Sequence, residues 1–220
     1  MKRHVWGITL LLIISLNHTA RASGGLAIAG KAGTLGLGGE LMVNVLSDVN
    51  CRFGATALDL DLDGEVADID YDFDMNLRTF PLMLDWYPFD NAFHISAGII
   101  INETDVGLDA EFDGSVTIGE TVYDAGDVGV LSGEMTVDRT VPYVGIGWGN
   151  AFGKKKRWGF LSDIGVAFIG SPDVTLTATG PLATTPEFRA DLAREEDDLE
   201  DDIGDFKVYP VLSVSLFFRF

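Results

Sequence analysis

The chain has 220 residues, of which 34 are acidic and 15 are basic, and its formal net charge is −19. A charge of this sign repels nucleic acid, so DNA and RNA are excluded as partners. High acidity is also typical of disordered proteins, but an apolar content of 47% is too high for that class. The single cysteine, Cys51, excludes an internal disulfide framework.

Residues 1–22 have the layout of a secretory signal peptide. Lys2 and Arg3 precede an almost wholly apolar stretch from Val5 to Leu16, and Ala20-Arg21-Ala22 predicts cleavage after Ala22. The apolar stretch is shorter than the ~20 residues of a membrane-spanning helix. An uncleaved N-terminal anchor is the alternative. Cleavage would remove three bases and no acids, so the mature chain, residues 23–220, would have a net charge of −22.

Apolar and polar residues alternate with a period of two along the mature chain, which predicts β-strands. Asp59, Asp61 and Asp63, for example, alternate with leucines. Eight strands are predicted: one within Ser23–Lys31, then Leu35–Val45, Arg52–Asp63, Ile69–Tyr87, Ala92–Asn102, Met135–Trp148, Trp158–Ile169 with an extension through 174–179, and Lys207–Phe220. Single-chain bacterial barrels have even strand numbers, which is the main reason for including the first.

The connections alternate between short and long, which indicates a barrel in lipid. Short connections lie at 47–50, 90–91 and 150–157, and long ones at about 105–133 and 171–205. Outer-membrane barrels have short periplasmic turns and long external loops. Aromatic residues gather beside the short turns, as in an interfacial girdle: Trp86, Tyr87, Phe89, Phe93, Trp148, Trp158, Phe218 and Phe220. We therefore predict an all-β, eight-stranded antiparallel transmembrane β-barrel with both mature ends on the periplasmic side.

Two segments depart from simple alternation. In the fourth strand the apolar residues change parity after Leu77, and Pro81 lies at the change, which predicts a β-bulge near Thr79–Pro81. Residues 186–203 start with Pro186 and have an approximately helical apolar spacing among many acids. This pattern predicts an acidic helix or a disordered segment in the last external loop, and a solvated loop is the alternative.

Strand parity identifies candidate lumen-lining residues among the polar side chains. They are Glu40, Arg78, Asp85, His94, Asp163 and Arg219, accompanied by the bulky Met42, Met83, Leu161 and Phe217. The interior of eight strands is barely wide enough for side chains or one small ligand, so salt bridges could close it. Phe220, at the end of the closing strand, is the candidate assembly signal for the outer-membrane assembly machinery.

Catalytic and metal sites are not expected, and no cofactor is predicted. His94 is the one histidine of the mature chain, and the sequence places no Ser or Asp beside it as a catalytic partner. The acids from Asp59 to Glu65 resemble a calcium loop, but an EF-hand needs glutamate at position twelve, which is Asp70 here. Loose binding of divalent cations by external carboxylates remains an alternative.

Several motifs resemble known small barrels. The stretch 82–87, Leu-Met-Leu-Asp-Trp-Tyr, and the aromatic C-terminus are similar to the OmpW family of eight-stranded barrels. The order of five later motifs is closer to the CarO-like barrels. These are the Asp-rich stretch from Asp59 to Asp74, Pro142 to Gly147, Trp158-Gly159-Phe160, Gly170 to Leu176, and Tyr209-Pro210-Val211.

This resemblance implies passive uptake of small molecules and provides no catalytic residues. OmpW-like members are linked to hydrophobic compounds and CarO-like members to basic amino acids. Fixed external carboxylates also concentrate cations near the surface. The expected function is uptake of cationic, zwitterionic or small hydrophobic solutes by a monomer surrounded by outer-membrane lipid and lipopolysaccharide. A structural or surface-interaction barrel without transport is the alternative.

Overall fold

The structure is a computed structural model that describes residues 25–66, 69–89, 91–153, 157–204 and 207–220. The expected signal peptide, residues 1–22, lies outside the described residues. In chain order the strands are β1 Leu26–Gly33, β2 Gly36–Leu46, β3 Val49–Val66, β4 Ile69–Trp86, β5 Phe93–Phe112, β6 Ser115–Ile118, β7 Thr121–Asp124, β8 Leu131–Thr136, β9 Thr140–Trp148, β10 Trp158–Phe168, β11 Asp173–Ala178 and β12 Val208–Arg219. Two α-helices, α1 Ala125–Val128 and α2 Pro186–Ile203, and a 3-10 helix at Pro181–Thr184 complete the fold.

Eight of the described strands close an antiparallel ring, in the order β1, β2, β3, β4, β5, β9, β10, β12 and back to β1. The last pairing places Ala29 opposite Phe217, and the Phe220 N–H donates to the Leu26 carbonyl at 3.0 Å. The predicted eight-stranded barrel is thereby confirmed. Closure pairs the backbone of every ring strand on both sides, which a bilayer requires.

Outward side chains near the short turns form an apolar belt. Exposed members include Ile28, Phe53, Leu82, Leu84, Ile99, Val144, Ile146, Ile164, Leu212, Val214 and Leu216. At the end where the turns are short, Trp86, Trp148, Trp158 and Phe220 are also exposed. Such a belt with aromatic residues at its rim is typical of a barrel surrounded by lipid. Tyr87, expected in the girdle, instead points inward and is buried against His94.

The bulge expected at Thr79–Pro81 is absent from the described strands. β3 and β4 pair in one register from Val49–Trp86 to Val66–Ile69, although the pairing is interrupted opposite Phe80 and Pro81. The register of β4 with β5 is equally continuous through this point. Gly54 has no side chain, and this leaves room for the inward Pro81 ring. The register shift that the described strands do contain lies between Asn44 and Leu46.

The change of apolar parity instead marks the upper edge of the belt. Phe80 and its partner on β5, Ile101, both point outward. Arg78, two residues before Phe80 and opposite Glu103, also points outward. Above this level the outer face meets water and carries polar residues, and the inner face becomes apolar with Leu58, Met75 and Leu77. One continuous strand therefore reverses its pattern because its outer environment changes from lipid to water. The expectation that Arg78 lines the lumen was wrong for the same reason.

Above the belt, at the end with the long connections, β3, β4 and β5 continue and join β8 and β11 in a wall. We call it the extracellular wall, after the side on which long connections are expected. Against it lies a cap made of the β6–β7 hairpin, α1 and α2, held by a cluster of Ile118, Val128, Phe188 and Leu192. Residues 186–203, expected to be helical or disordered, form α2. Among the described residues, no helix is long and apolar enough to span a bilayer.

The acids of α2 bind backbone groups of their neighbours. Glu196 and Glu200 accept hydrogen bonds from the Leu176 and Val174 N–H groups of β11, at 2.6 and 2.8 Å. Glu195 accepts one from the Gly119 N–H at 2.7 Å. β11 ends the sheet, so the N–H groups on the side away from β8 would otherwise be unpaired. Part of the acidic run is thus explained by protection of a sheet edge.

Candidate functional site: a charged layer beneath an apolar cavity

A layer of charged side chains crosses the barrel interior at the height of the lipid belt. Its centre is Arg52 on β3, which is 2% exposed. The guanidinium donates to Asp163 at 3.0 Å through each of two nitrogens and lies 2.7 Å from the Asp85 carboxylate on β4. Such a two-pronged pairing of arginine with carboxylate is among the stronger polar contacts in proteins.

The remaining polar groups extend this layer around the wall. Lys31 on β1 binds Glu40 on β2 at 2.6 Å, and a Glu40 oxygen lies 3.7 Å from Arg52. His94 Nε2 lies 2.9 Å from Asp163. Serine hydroxyls from two strands bind the carboxylates: Ser96 of β5 to Asp85, and Ser213 and Ser215 of β12 to Asp163 and Glu40.

Apolar side chains fill the barrel on both sides of the charged layer. Towards the short turns lies a cluster of Ala27, Ala29, Met42, Ala151, Leu161 and Phe217. Towards the extracellular side lies a second cluster that includes Leu77, Met83, Ile100, Val141 and Val211. The charged layer, whose side chains are buried, therefore lies between two apolar clusters.

An apolar cavity of about 140 Å³ opens above the charged layer, on the extracellular side. Its lining is mostly aliphatic and includes Leu35, Met75, Leu77, Val106, Met135 and Val141. Thr79, Asn102, Thr104 and Tyr209 contribute its few polar groups. The cavity sits where β4 reverses its pattern, so inward apolar residues from the belt and from the extracellular wall meet around it.

The structure brings four of the six candidate lumen residues into the charged layer: Glu40, Asp85, His94 and Asp163. Arg78 lies on the outer surface, as described above. Arg219 is half-buried near the end with the short turns, where its N–H donates to the Arg157 carbonyl, and it contacts none of the four. Phe220 is exposed and packs edge-on against Phe218, and its role in assembly stays a prediction.

Sequence reasoning missed Arg52 and Lys31, the two cations of this layer. Both were detectable from parity. Arg52 immediately precedes Phe53, which faces lipid, and therefore points inward. Gly30 and Ala32 point outward in the first strand, so Lys31 between them points inward. The prediction of that strand, however, rests on the even-number rule rather than on its own pattern.

The acids outside the barrel lie in cross-strand rows on the outer face of the extracellular wall. Asp61 pairs with Asp74, and Asp72 with both Asp63 and Asp109. Partial desolvation, a hydrogen bond to Asp61 and the negative charges of neighbouring aspartates raise the pKa of Asp74. Within the described residues, no three His, Cys, Asp or Glu side chains are placed to hold a metal ion.

Comparison with solved structures shows the same fold in CarO. The crystal structure of Acinetobacter baumannii CarO superposes with a TM-score of 0.58 at 20% sequence identity, covering 89% of this chain and 98% of that chain. Acinetobacter baumannii CarO2 gives a TM-score of 0.58 at 22% identity with the same coverage. No protein-family model and no curated protein sequence matches the chain. The fold is therefore that of the CarO barrels, as the sequence motifs suggested.

Proposed function

We propose that this protein is a bacterial outer-membrane barrel that binds small apolar molecules from the outside, as the first step of passive uptake. The observation that carries this proposal is the apolar cavity above the charged layer. An engineered aliphatic cavity of ~150 Å³ in another protein stays dry and binds benzene. The cavity of about 140 Å³ is thus matched to a single aromatic ring or a short branched alkane.

The charges of the protein favour neutral or cationic apolar molecules over anionic ones. Asp59, Asp61, Asp72, Asp74 and Asp109 point outward around the extracellular wall. Fixed carboxylates lower the local concentration of anions over a Debye length of ~8 Å at physiological salt. Wholly polar cationic or zwitterionic solutes, including basic amino acids, are less well supported, because the cavity offers them few polar partners.

The location and the partners follow from the outer surface. The apolar belt supports insertion in lipid, and the long extracellular connections support contact with lipopolysaccharide above it. The closed ring leaves no membrane-embedded strand edge among the described residues, which supports a monomer. We also propose that the protein is not an enzyme, since the serine hydroxyls near His94 bind carboxylates rather than the imidazole.

A structural or surface-interaction barrel is the second candidate function. The observation that favours it is the charged layer, which is enclosed between two apolar clusters. A barrel with a permanently sealed interior would support the membrane or present its cap without passing any solute. Binding in the cavity distinguishes the two candidates, because a purely structural barrel has no need to accept a ligand there.

Methionine methyl groups provide a direct test of binding. The mature chain has four methionines, of which Met75 and Met135 line the cavity and Met42 lies below the charged layer. Titration of 13C-methyl-labelled protein in nanodiscs with toluene should shift the Met75 and Met135 signals saturably and leave Met42 unchanged. Benzoate should produce much smaller shifts at the same concentration.

A matched pair of variants separates cavity binding from partition into lipid. Ala167→Leu adds bulk to a residue that lines the cavity, and Ala55→Leu makes the same change at an exposed outward position. Ala167→Leu should abolish the toluene response, and Ala55→Leu should preserve it. Equal shifts of all four methionines, or no saturable shift, would support the structural barrel instead.

A further inference from the structure

The charged layer contains one more carboxylate than permanent cations among the described residues. Glu40, Asp85 and Asp163 face Lys31 and Arg52, and all five side chains are buried. Apolar clusters separate the layer from water on both sides. An uncompensated charge in such surroundings is costly, because its hydration is lost. The layer therefore has a place for one further positive charge.

His94 is placed to provide that charge. Its side chain is fully buried, and Nε2 lies 2.9 Å from the Asp163 oxygen that also accepts from Arg52. Nδ1 has no hydrogen-bond partner in the part of the chain that the structure describes. The titratable groups facing this region come from every neighbouring element: Lys31 (β1), Glu40 (β2), Arg52 (β3), Asp85 and Tyr87 (β4), Tyr143 (β9) and Asp163 (β10).

We propose that His94 binds a proton in the closed barrel and that loss of this proton loosens the charged layer. With His94 protonated, three cations face three carboxylates, and the layer is neutral. A proton, unlike a bound metal ion or other cation, can be added without extra space, and apolar side chains pack against the layer on both sides. Acid then keeps the barrel closed, and alkaline pH leaves one carboxylate uncompensated beside Arg52. This proposal holds whether the cavity takes up a solute or not.

The mature chain contains one histidine, so its protonation can be measured without ambiguity. In 15N-labelled protein in nanodiscs, both ring nitrogens of His94 should be protonated at neutral pH. Glu40→Gln removes one carboxylate that contacts Lys31 and Ser215 rather than His94. Charge balance predicts that His94 is neutral at the same pH in this variant, with one of its two ring nitrogens unprotonated.

Two controls separate charge balance from local contacts. Ser215→Ala removes a hydrogen bond to Glu40 without changing charge, and His94 should stay protonated. Lys31→Met removes a cation, and His94 should then stay protonated at neutral pH. A neutral His94 in the wild type at neutral pH, or a His94 that stays protonated in Glu40→Gln at that pH, would overturn the proposal.

Planar-bilayer recordings test the opening step. The wild-type barrel should be closed at neutral pH and show conductance that increases as pH rises on both sides of the bilayer. Glu40→Gln, whose layer is neutral without the proton, should show no such increase. Conductance that is independent of pH, or absent at every pH where the barrel stays folded, would refute the link between His94 and opening.

Discussion

The guanidinium of Arg52 and the carboxylate of Asp163 bind each other across the barrel through two hydrogen bonds of 3.0 Å, although 111 positions separate them in the chain. β3 and β10 are not neighbours in the ring, so this contact spans the interior. Asp85 holds the same guanidinium from β4 at 2.7 Å. Arg52 thereby connects three strands and closes the space between the two apolar clusters.

Replacing Arg52 should both destabilise and open the barrel. Arg52→Met removes the guanidinium that Asp85 and Asp163 share, and breaking a buried ion pair from one side costs about 3–5 kcal/mol. The urea midpoint for unfolding from lipid vesicles should fall, and cation-selective conductance should appear in planar bilayers. Arg219→Met is the matched control, because Arg219 lies inside the same wall but outside the layer. Equal stability of the two variants would contradict the central place given to Arg52.

Part of this interior was predictable from the sequence, because the side-chain period of a strand fixes which residues share a face. Parity placed Glu40, Asp85, His94 and Asp163 inside. Parity alone does not place Arg78 correctly, because a reversal of the strand's outer environment produces the same sequence pattern as a bulge. Alternation reports that a strand has two different faces, but not which solvent each face meets.

The cap was beyond sequence reasoning for a different reason. It depends on contacts between distant segments, such as Phe188 of α2 with Tyr123 of β7, whose rings pack edge-on at 5.0 Å. The spacing of the acids in α2 does not predict that some of them bind the N–H groups of β11. Local composition predicts only a helix or a loop for this segment. The sheet edge against which the helix packs is β11, and it exists because β5 continues to Phe112 and pairs with β8, which in turn pairs with β11.

The position of the lipid boundary can be tested on one strand. Leu84 lies within the belt, and Asn76 points outward from the same strand above it. Leu84→Arg should cost about 2–4 kcal/mol of stability in lipid, whereas Asn76→Arg should cost about 0–1 kcal/mol. Equilibrium unfolding from vesicles measures both values. Similar costs for the two variants would place the boundary elsewhere.

The cap should loosen in acid because of Asp191. A hydrogen bond from Tyr123, with further contributions from Thr121 and Arg194, lowers the pKa of Asp191 below its ordinary value of 3.8. A lowered pKa means that the carboxylate stabilises the cap above that ordinary value, and that this contribution is lost as pH falls below it. The protection of β6 and β7 amides against hydrogen exchange, relative to the intrinsic rate at each pH, should fall over this acid range. In Asp191→Asn the exchange should already be faster at neutral pH and should lose this dependence.

The acidic rows on the extracellular wall should respond to single neutral substitutions. Since Asp61 is a direct cross-strand neighbour of Asp74, Asp61→Asn should move the pKa of Asp74 back towards its ordinary value. Carboxyl 13C chemical shifts followed against pH measure this change. Asp105→Asn, which removes an acid that is not among the groups acting on Asp74, should leave that pKa nearly unchanged.

The most direct measurement of the central claim is an anomalous diffraction experiment on crystals soaked with bromobenzene, whose bromine marks its own position. A barrel that binds small apolar molecules above the charged layer should show a bromine peak in the cavity among Leu77, Met135 and Val141, and this peak should disappear in Ala167→Leu. Bromine peaks confined to the lipid-facing belt, with an empty cavity at saturating bromobenzene, would contradict the claim.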